Sequence, residues 1–331
     1  MKALVARTLG PPETLAIEET PSRPLQPGEV RVAVWYAGVS FVDVLIAGGG
    51  YQVKPPTPFV PGAECAGVVL ETAPDVTGLA VGTRVSATAF GGIFAEETIV
   101  SAQVVAPVPD GVSLAEAAVI PSSYVTACYA LGRRGQVRPG ETVMVLGAGG
   151  AVGVAAIQVA RAYGARPIAS ASSADKRELA RAVGAEETLD TRAEDWRDQV
   201  KALTGGKGLD VVVDTLGGAF TERAFRALGW GGRHLVIGFA AGEIPRLPTN
   251  LALLKGAALL GVDVRQFGIN EPQAYAETVR EVWRLAAEGV AKPPIAKIFA
   301  FGDYVEAMRL AASGAAAGRV VLRMAAAQDQ A

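Results

Sequence analysis

The segment Leu146-Gly147-Ala148-Gly149-Gly150-Ala151-Val152-Gly153 follows an apolar run and opens a helix-forming one. Small residues in such a turn let the backbone approach a pyrophosphate, and the first amides of the helix then face negative charge. Read as small-x-Gly-x-x-Gly, the positions are Ala148, Gly150 and Gly153. Gly150 permits close approach and Gly153 close packing of helix on strand. Gly149, Ala151 and Val152 complete the expected cradle. The stricter Gly-x-Gly-x-x-Gly register from Gly147 fails at Val152. The alternative is an ordinary glycine-rich turn, but the preceding strand and following helix favour a dinucleotide.

The end of the next strand bears on the choice of dinucleotide. A free ribose 2′-hydroxyl usually meets an Asp or Glu about 20 residues on. This chain instead has Ala169-Ser170-Ala171-Ser172-Ser173-Ala174-Asp175-Lys176-Arg177. A 2′-phosphate would accept from Ser172 or Ser173 and pair with Lys176 or Arg177, so NADPH is the expected cofactor. The competing reading makes Ser173 a helix cap and leaves both cations solvated. Further turns, Asp214-Thr215-Leu216-Gly217-Gly218 and Ile237-Gly238-Phe239-Ala240, end later strands. Gly217, Gly238, Phe239 and Ala240 are therefore candidates to line the nicotinamide half of the groove. Thr204-Gly205-Gly206-Lys207-Gly208 lacks the phosphate-loop spacing and reads as a helix C-terminal turn.

Other chemistries are poorly supplied. The chain has two cysteines, Cys65 and Cys128, and one histidine, His234. No Cys-x-x-Cys pair exists, so a disulfide scaffold is excluded, no metal site is expected, and a reducing, cytoplasmic compartment fits. His234 lies in a strand-like run and reads as a half-buried strand residue rather than the base of a triad.

These groups must be positioned by a chain of 331 residues, half of them hydrophobic, with 31 basic and 33 acidic side chains and a net charge of −2. That is material for two cores and offers no field for nucleic acid or an anionic membrane. The longest apolar stretch, 256–264, is about half a membrane span of ~20 residues. The first third is β-rich, with alternating runs near 30–36, 65–70, 84–89 and 94–100. Ser113-Leu114-Ala115-Glu116 is a capping box. From Thr142, six strand candidates (142–146, 167–170, 187–189, 209–214, 232–238 and 257–264) alternate with helices. This predicts an α/β fold with a doubly wound parallel sheet. An amphipathic helix at 272–288, a β-like run at 295–301, a helix at 303–312 and a strand at 319–324 follow, and 325–331 reads as a disordered tail. The expected division is a discontinuous domain, 1–121 with 268–331, around a Rossmann domain, 122–267.

Taken together, the sequence resembles the zinc-independent quinone oxidoreductase (zeta-crystallin-like) family of the medium-chain dehydrogenase/reductase superfamily. The motifs that carry the resemblance are Pro61-Gly62-Ala63-Glu64-Cys65-Ala66-Gly67-Val68-Val69, Gly82-Thr83-Arg84-Val85, the turn 147–153, Leu203-Thr204-Gly205-Gly206 and Gly318-Arg319-Val320-Val321-Leu322. The resemblance implies a GroES-like catalytic domain from both chain ends and a homodimer through the strand at 257–264. It also implies hydride transfer from NADPH to a quinone or another conjugated carbonyl. Enone, alkenal or enoyl-thioester reduction, or a low-turnover NADPH sensor, are the alternatives.

Zinc enzymes of that superfamily place ligands where this chain has Ser40, Ala63 and Pro121, so zinc is not expected. The family's Asn-x-x-Asp-x-Tyr is here Ser40-Phe41-Val42-Asp43-Val44-Leu45. A hydroxyl replaces the amide, leucine replaces the tyrosine, and Asp43 is either functional or a capping or surface residue. Tyr51 could supply an aromatic face instead. Ser40, Tyr51, Ser123, Tyr124 and Thr126 are candidate donors to the cofactor amide or substrate oxygen. The resemblance places 124–126 beside the nicotinamide and makes Thr126 the best of them.

Overall fold

The computed structural model describes residues 1–324; the tail expected at 325–331 lies outside the described residues. The chain begins with β1 (Lys2–Val5), β2 (Ala16–Glu19), β3 (Glu29–Val39), α1 (Phe41–Ala47), β4 (Glu64–Thr72), β5 (Arg84–Thr88), β6 (Glu97–Ser101), β7 (Val105–Pro107) and α2 (Leu114–Ala117). Next come α3 (Pro121–Cys128), a π-helical turn (Tyr129–Arg134), β8 (Thr142–Leu146), α4 (Ala151–Ala162), β9 (Arg166–Ala171), α5 (Ala174–Ala182), β10 (Glu187–Asp190), α6 (Trp196–Leu203), β11 (Leu209–Asp214) and α7 (Ala219–Arg226). The remainder is β12 (Leu228–Val236), α8 (Asn250–Lys255), β13 (Ala258–Gly261), α9 (Val264–Asn270), α10 (Pro272–Ala287), β14 (Ile295–Ala300), α11 (Tyr304–Ser313) and β15 (Arg319–Arg323).

Two compact units result: Met1–Ser122 with Lys292–Ala331, and Ser123–Ala291. The sequence reading placed 268–291 with the first unit. The chain instead keeps α10 in the second, where the Tyr275 ring meets the edge of Phe267 at 5.8 Å. There Arg133 also pairs with Glu277 at 2.7 Å. The second contact joins residues 144 apart, which local pattern does not reveal.

Unit 1 is GroES-like. Its main sheet runs β14-β15-β3-β4-β5-β7, with β6 also on β3. All neighbours are antiparallel except β14 and β15. Alternating residues of β3 and β4 send Val30, Val32, Val34 and Val69 into a core with Val85, Phe94, Val320 and Leu322. Because β15 comes from the far end of the sequence and pairs with β3, both chain ends build one core.

Unit 2 is the Rossmann domain. Its six strands are all parallel in the order β10-β9-β8-β11-β12-β13. The order reverses at β8, the point at which such sheets bind dinucleotides beyond the strands' carboxyl ends. Residues Val211, Val212 and Val213 are all buried, as covering by helices on both faces requires. Sequence and structure agree on β8 and β11. They differ at β12, which begins earlier than expected, and at β13, which is shorter because Val264 opens α9. No helix among the described residues is long and apolar enough to cross a membrane.

Candidate functional site

The glycine turn of unit 2 is shaped by contacts that leave no room for side chains. A Cβ at Gly153 would overlap the Gly147 carbonyl oxygen and sit 2.8 Å from Ala148 Cα. Gly153 therefore sets how closely α4 lies on β8. Gly147 has φ +69°, a left-handed conformation that favours glycine. Gly150 caps α4 without a side-chain hydrogen bond. The first intrahelical bond is donated by Val154 to the Gly150 carbonyl at 2.9 Å. The amides of Ala151, Val152 and Gly153 thus have no acceptor within the helix. Ala148 and Gly149 are buried, whereas Gly150 is exposed. Open amides at a helix N-terminus suit a pyrophosphate.

At the end of β9, Ser172 and Ser173 are exposed, and Ser173 caps α5 by accepting from the Lys176 amide at 3.4 Å. Lys176 arches over the glycine turn: a Cβ at Gly149 would lie 2.6 Å from its Cγ. Arg177 takes a different course. Its Nη1 donates to the Ala171 carbonyl and pairs with Asp190, both at 3.0 Å. Asp190 closes β10 beside Ala171, a carboxylate near the tip that the sequence reading did not weigh. Its two oxygens receive Arg177 and the Arg192 amide.

The turn that follows β11 adjoins the glycine turn, and the turn that follows β12 adjoins the turn after β11. Thr215 donates to the Leu146 carbonyl at 2.9 Å. The Ala240 and Ala241 amides bond the carbonyls of Thr215 and Leu216. Gly217 and Gly218 have φ of +69° and +57°, and Phe239 and Ala240 are exposed. Behind them Asp214 is buried. Burial pushes its carboxyl up, but hydrogen bonds from His234, Thr221 and the Gly217 amide hold it below the usual carboxylate range. His234 is fully buried, not half-buried as expected. On α3, Ser123, Tyr124 and Thr126 are buried, and the Tyr124 hydroxyl donates to Gln158 at 2.5 Å.

Unit 1 holds a second polar cluster. Ser40 caps α1 in a capping box: its hydroxyl accepts from the Asp43 amide at 3.2 Å and donates to Asp43 Oδ2 at 2.6 Å. The Ser40 amide donates to the same oxygen. Asp43 is thus the capping residue that the sequence left as one option, but it is buried, with Oδ1 unpartnered. Burial pushes its carboxyl up to about 6, against the Ser40 hydrogen bonds; Glu64 raises it further and Arg319 lowers it. Glu64 and Arg319 form a buried ion pair, and Glu64 Oε2 accepts from the Ser122 amide at 3.0 Å. Tyr51 packs against Phe90, ring centroids 6.3 Å apart. Burial pushes Cys65 and Cys128 up to about 12, so neither is a ready thiolate. Among the described residues no three His, Cys, Asp or Glu side chains are gathered to hold a metal. Ser40, Ala63 and Pro121 carry no imidazole or thiolate, and these positions do not fit zinc.

Several of these groups escaped the sequence reading: the Asp214–His234 pair, Thr221, Asp190 and the Glu64–Arg319 pair. A signal existed for the first. Val212 pairs with His234 and Asp214 with Val236, so Asp214 and His234 share a face as diagonal neighbours.

Comparison with known proteins agrees with this geometry. Residues 151–287 match the family described as zinc-binding dehydrogenase. Residues 26–110 match the alcohol dehydrogenase GroES-like domain. Quinone oxidoreductase-like protein 2 of Mus musculus is 36% identical over 313 residues, covering 94% of this chain and 89% of that protein. The quinone oxidoreductase from Thermus thermophilus, solved also in complex with NADPH, is 33% identical with a TM-score of 0.83, covering 98% of this chain and 100% of that one. CurK enoyl reductase is 25% identical with a TM-score of 0.88, covering 98% and 99%. The chain belongs to the quinone oxidoreductase-like family of the medium-chain dehydrogenase/reductase superfamily, whose members are NAD(P)-dependent oxidoreductases.

Proposed function

We propose that the protein is an NADPH-dependent reductase that delivers hydride to a conjugated carbonyl without a metal ion, with quinones the leading substrate class. The observation that carries this reading is the placement of Lys176 over Gly149, next to the end of β9, whose own residues offer Ser172 and no carboxylate, while Asp190 on the neighbouring strand is paired with Arg177. A cation and hydroxyls there suit a 2′-phosphate. Bound NADPH supplies the hydride. The amides of Ala151, Val152 and Gly153 hold the pyrophosphate, and the turns at 215–218 and 237–240 line the nicotinamide half.

A saturated ketone or aldehyde develops full alkoxide charge, which calls for strong electrostatic stabilisation. A quinone or enone spreads that charge through its own conjugation. A modest donor such as the Thr126 hydroxyl then suffices, and Leu45 in place of tyrosine suits a flat apolar substrate; Ser40, expected as another donor, gives its single proton to Asp43 instead. The similarity to CurK enoyl reductase favours acyl-thioester reduction as the second reading. For assembly, the proposal is a homodimer along β13. That strand is an edge of its sheet, and Leu253, Leu254 and Leu259 of unit 2 are exposed near it in sequence.

NADPH consumption against a simple quinone, an enone, an acyl thioester and a saturated aldehyde tests the reaction. Highest kcat/KM for the quinone is expected. Highest kcat/KM for the thioester moves the assignment to the second reading. A best rate with the saturated aldehyde, or no turnover with any of the four, overturns it.

A further inference from the structure

We propose that Asp214, held by His234 and Thr221, is a positioning residue for the nicotinamide half of the cofactor. It acts by fixing the turn 215–218 between the turns that follow β8 and β12. The inference rests on the reading of the unit 2 groove as an NADPH site.

Asp214 is the last residue of β11, in register with Leu146 on one side and Val236 on the other. Its carbonyl accepts the Ile237 and Gly238 amides at 2.9 and 3.3 Å. Its Oδ1 accepts the Leu216 and Gly217 amides at 3.0 and 2.9 Å. Its Oδ2 accepts the Thr221 hydroxyl at 2.6 Å and meets His234 Nε2 at 2.9 Å. One residue thus binds its own turn, the turn after β12 and the first turn of α7.

The next residue extends the assembly, since Thr215 donates to the Leu146 carbonyl where the glycine turn begins. Gly218 in turn donates to the Glu243 carbonyl at 2.9 Å. Gly217 and Gly218 both have positive φ, and glycine is the most freely moving residue in an untethered turn. The Asp214 carboxylate supplies the tether, because it can only accept and two amides converge on one of its oxygens.

The histidine has a narrow task. Facing a carboxylate, Nε2 must donate, while Nδ1 is buried with no partner. A ring with one partner offers the carboxylate one fixed donor and serves no proton shuttle. The Phe225 ring, 5.8 Å from it, packs against the imidazole. In this strand order the adenosine half of a dinucleotide lies over β8 and β9, and the nicotinamide half over β11 and β12. A defect at Asp214 should therefore be felt by one half of the cofactor only.

The test compares two ligands of the full chain: NADPH, and adenosine 2′,5′-bisphosphate, which lacks the nicotinamide half. Dissociation constants come from calorimetry, on wild type and on Asp214→Asn, His234→Ala, His234→Gln and Thr221→Val. Asp214→Asn is expected to weaken NADPH about tenfold and to leave the bisphosphate within about twofold. His234→Ala should do the same, and His234→Gln, whose amide nitrogen can reach the carboxylate, should recover most of the loss. If Asp214→Asn fails to fold, Thr221→Val and His234→Ala carry the comparison. Parallel weakening of both ligands would show a role in the fold alone and overturn the proposal. Unchanged NADPH affinity in all the folded variants would also overturn it. Wild type that binds neither ligand would instead overturn the cofactor reading on which the proposal rests.

Discussion

Two buried aspartates, one in each unit, have carboxyl groups displaced in opposite directions. Asp214 is held below the ordinary carboxylate range, and Asp43 is pushed up to about 6. Both lie where a strand hands over to a helix, and both lose the solvation that favours charge. The difference is in donors. Asp214 receives four bonds spread over both oxygens, two from amides, one from a hydroxyl and one from His234. Asp43 receives two, both on Oδ2 and both from Ser40, leaving Oδ1 bare. Glu64 adds like charge and Arg319 only partly offsets it. Burial alone therefore does not set the direction; the hydrogen bonds made to the charged form, together with the neighbouring charges, do.

The largest expected effect concerns the ion pair near Asp43. Arg319→Leu leaves Glu64 buried without its partner and should cost about 3–5 kcal/mol in urea unfolding. It should also loosen the hold of β15 on the rest of unit 1. A loss below about 1 kcal/mol would mean that the pair contributes little.

In unit 2 the equivalent weak point is a glycine. Gly153→Val forces a side chain into the Gly147 carbonyl and should cost about 3 kcal/mol while abolishing NADPH binding. Normal binding with normal stability would remove the close-packing argument.

The two aspartates should give opposite pH dependences. Asp43 keeps its proton in the folded state where the unfolded chain has lost it, so the stability it contributes falls as pH rises from about 4 to about 6. Relative to wild type, Asp43→Asn should therefore gain up to about 3 kcal/mol between pH 4 and pH 7. Asp214 is depressed, so its contribution is present above about pH 4 and is lost as pH falls further. Asp214→Asn should flatten the acid limb of the stability curve. Urea titrations at a series of pH values check both, and slopes of the same sign would break the contrast. Smaller again, Ser40→Ala removes the α1 cap and should cost about 1 kcal/mol.

Much of unit 2 was legible because its signals are local. The glycine turn, each strand-to-helix step of the alternation, and the absence of a carboxylate at Ser172 can each be read within one short stretch of sequence. The capping box at Ser113 and Glu116 is formed as read. What stayed hidden joins distant segments. His234 lies 20 residues from Asp214 and Glu64 255 from Arg319, and no local period marks either pair. The length of β12 and the placement of α10 in unit 2 were missed for the same reason. Arg177 read as a phosphate partner because Asp190, which binds it, lies on the neighbouring strand.

Cofactor titration by fluorescence tests most directly the proposed preference of unit 2 for NADPH. Wild type should bind NADPH at least about tenfold more tightly than NADH. Lys176→Ala should weaken NADPH by about tenfold and leave NADH within about twofold, and Arg177→Ala, already engaged by Asp190, should do less. Equal affinities for the two cofactors in wild type, or a Lys176→Ala variant that weakens both alike, would contradict the assignment.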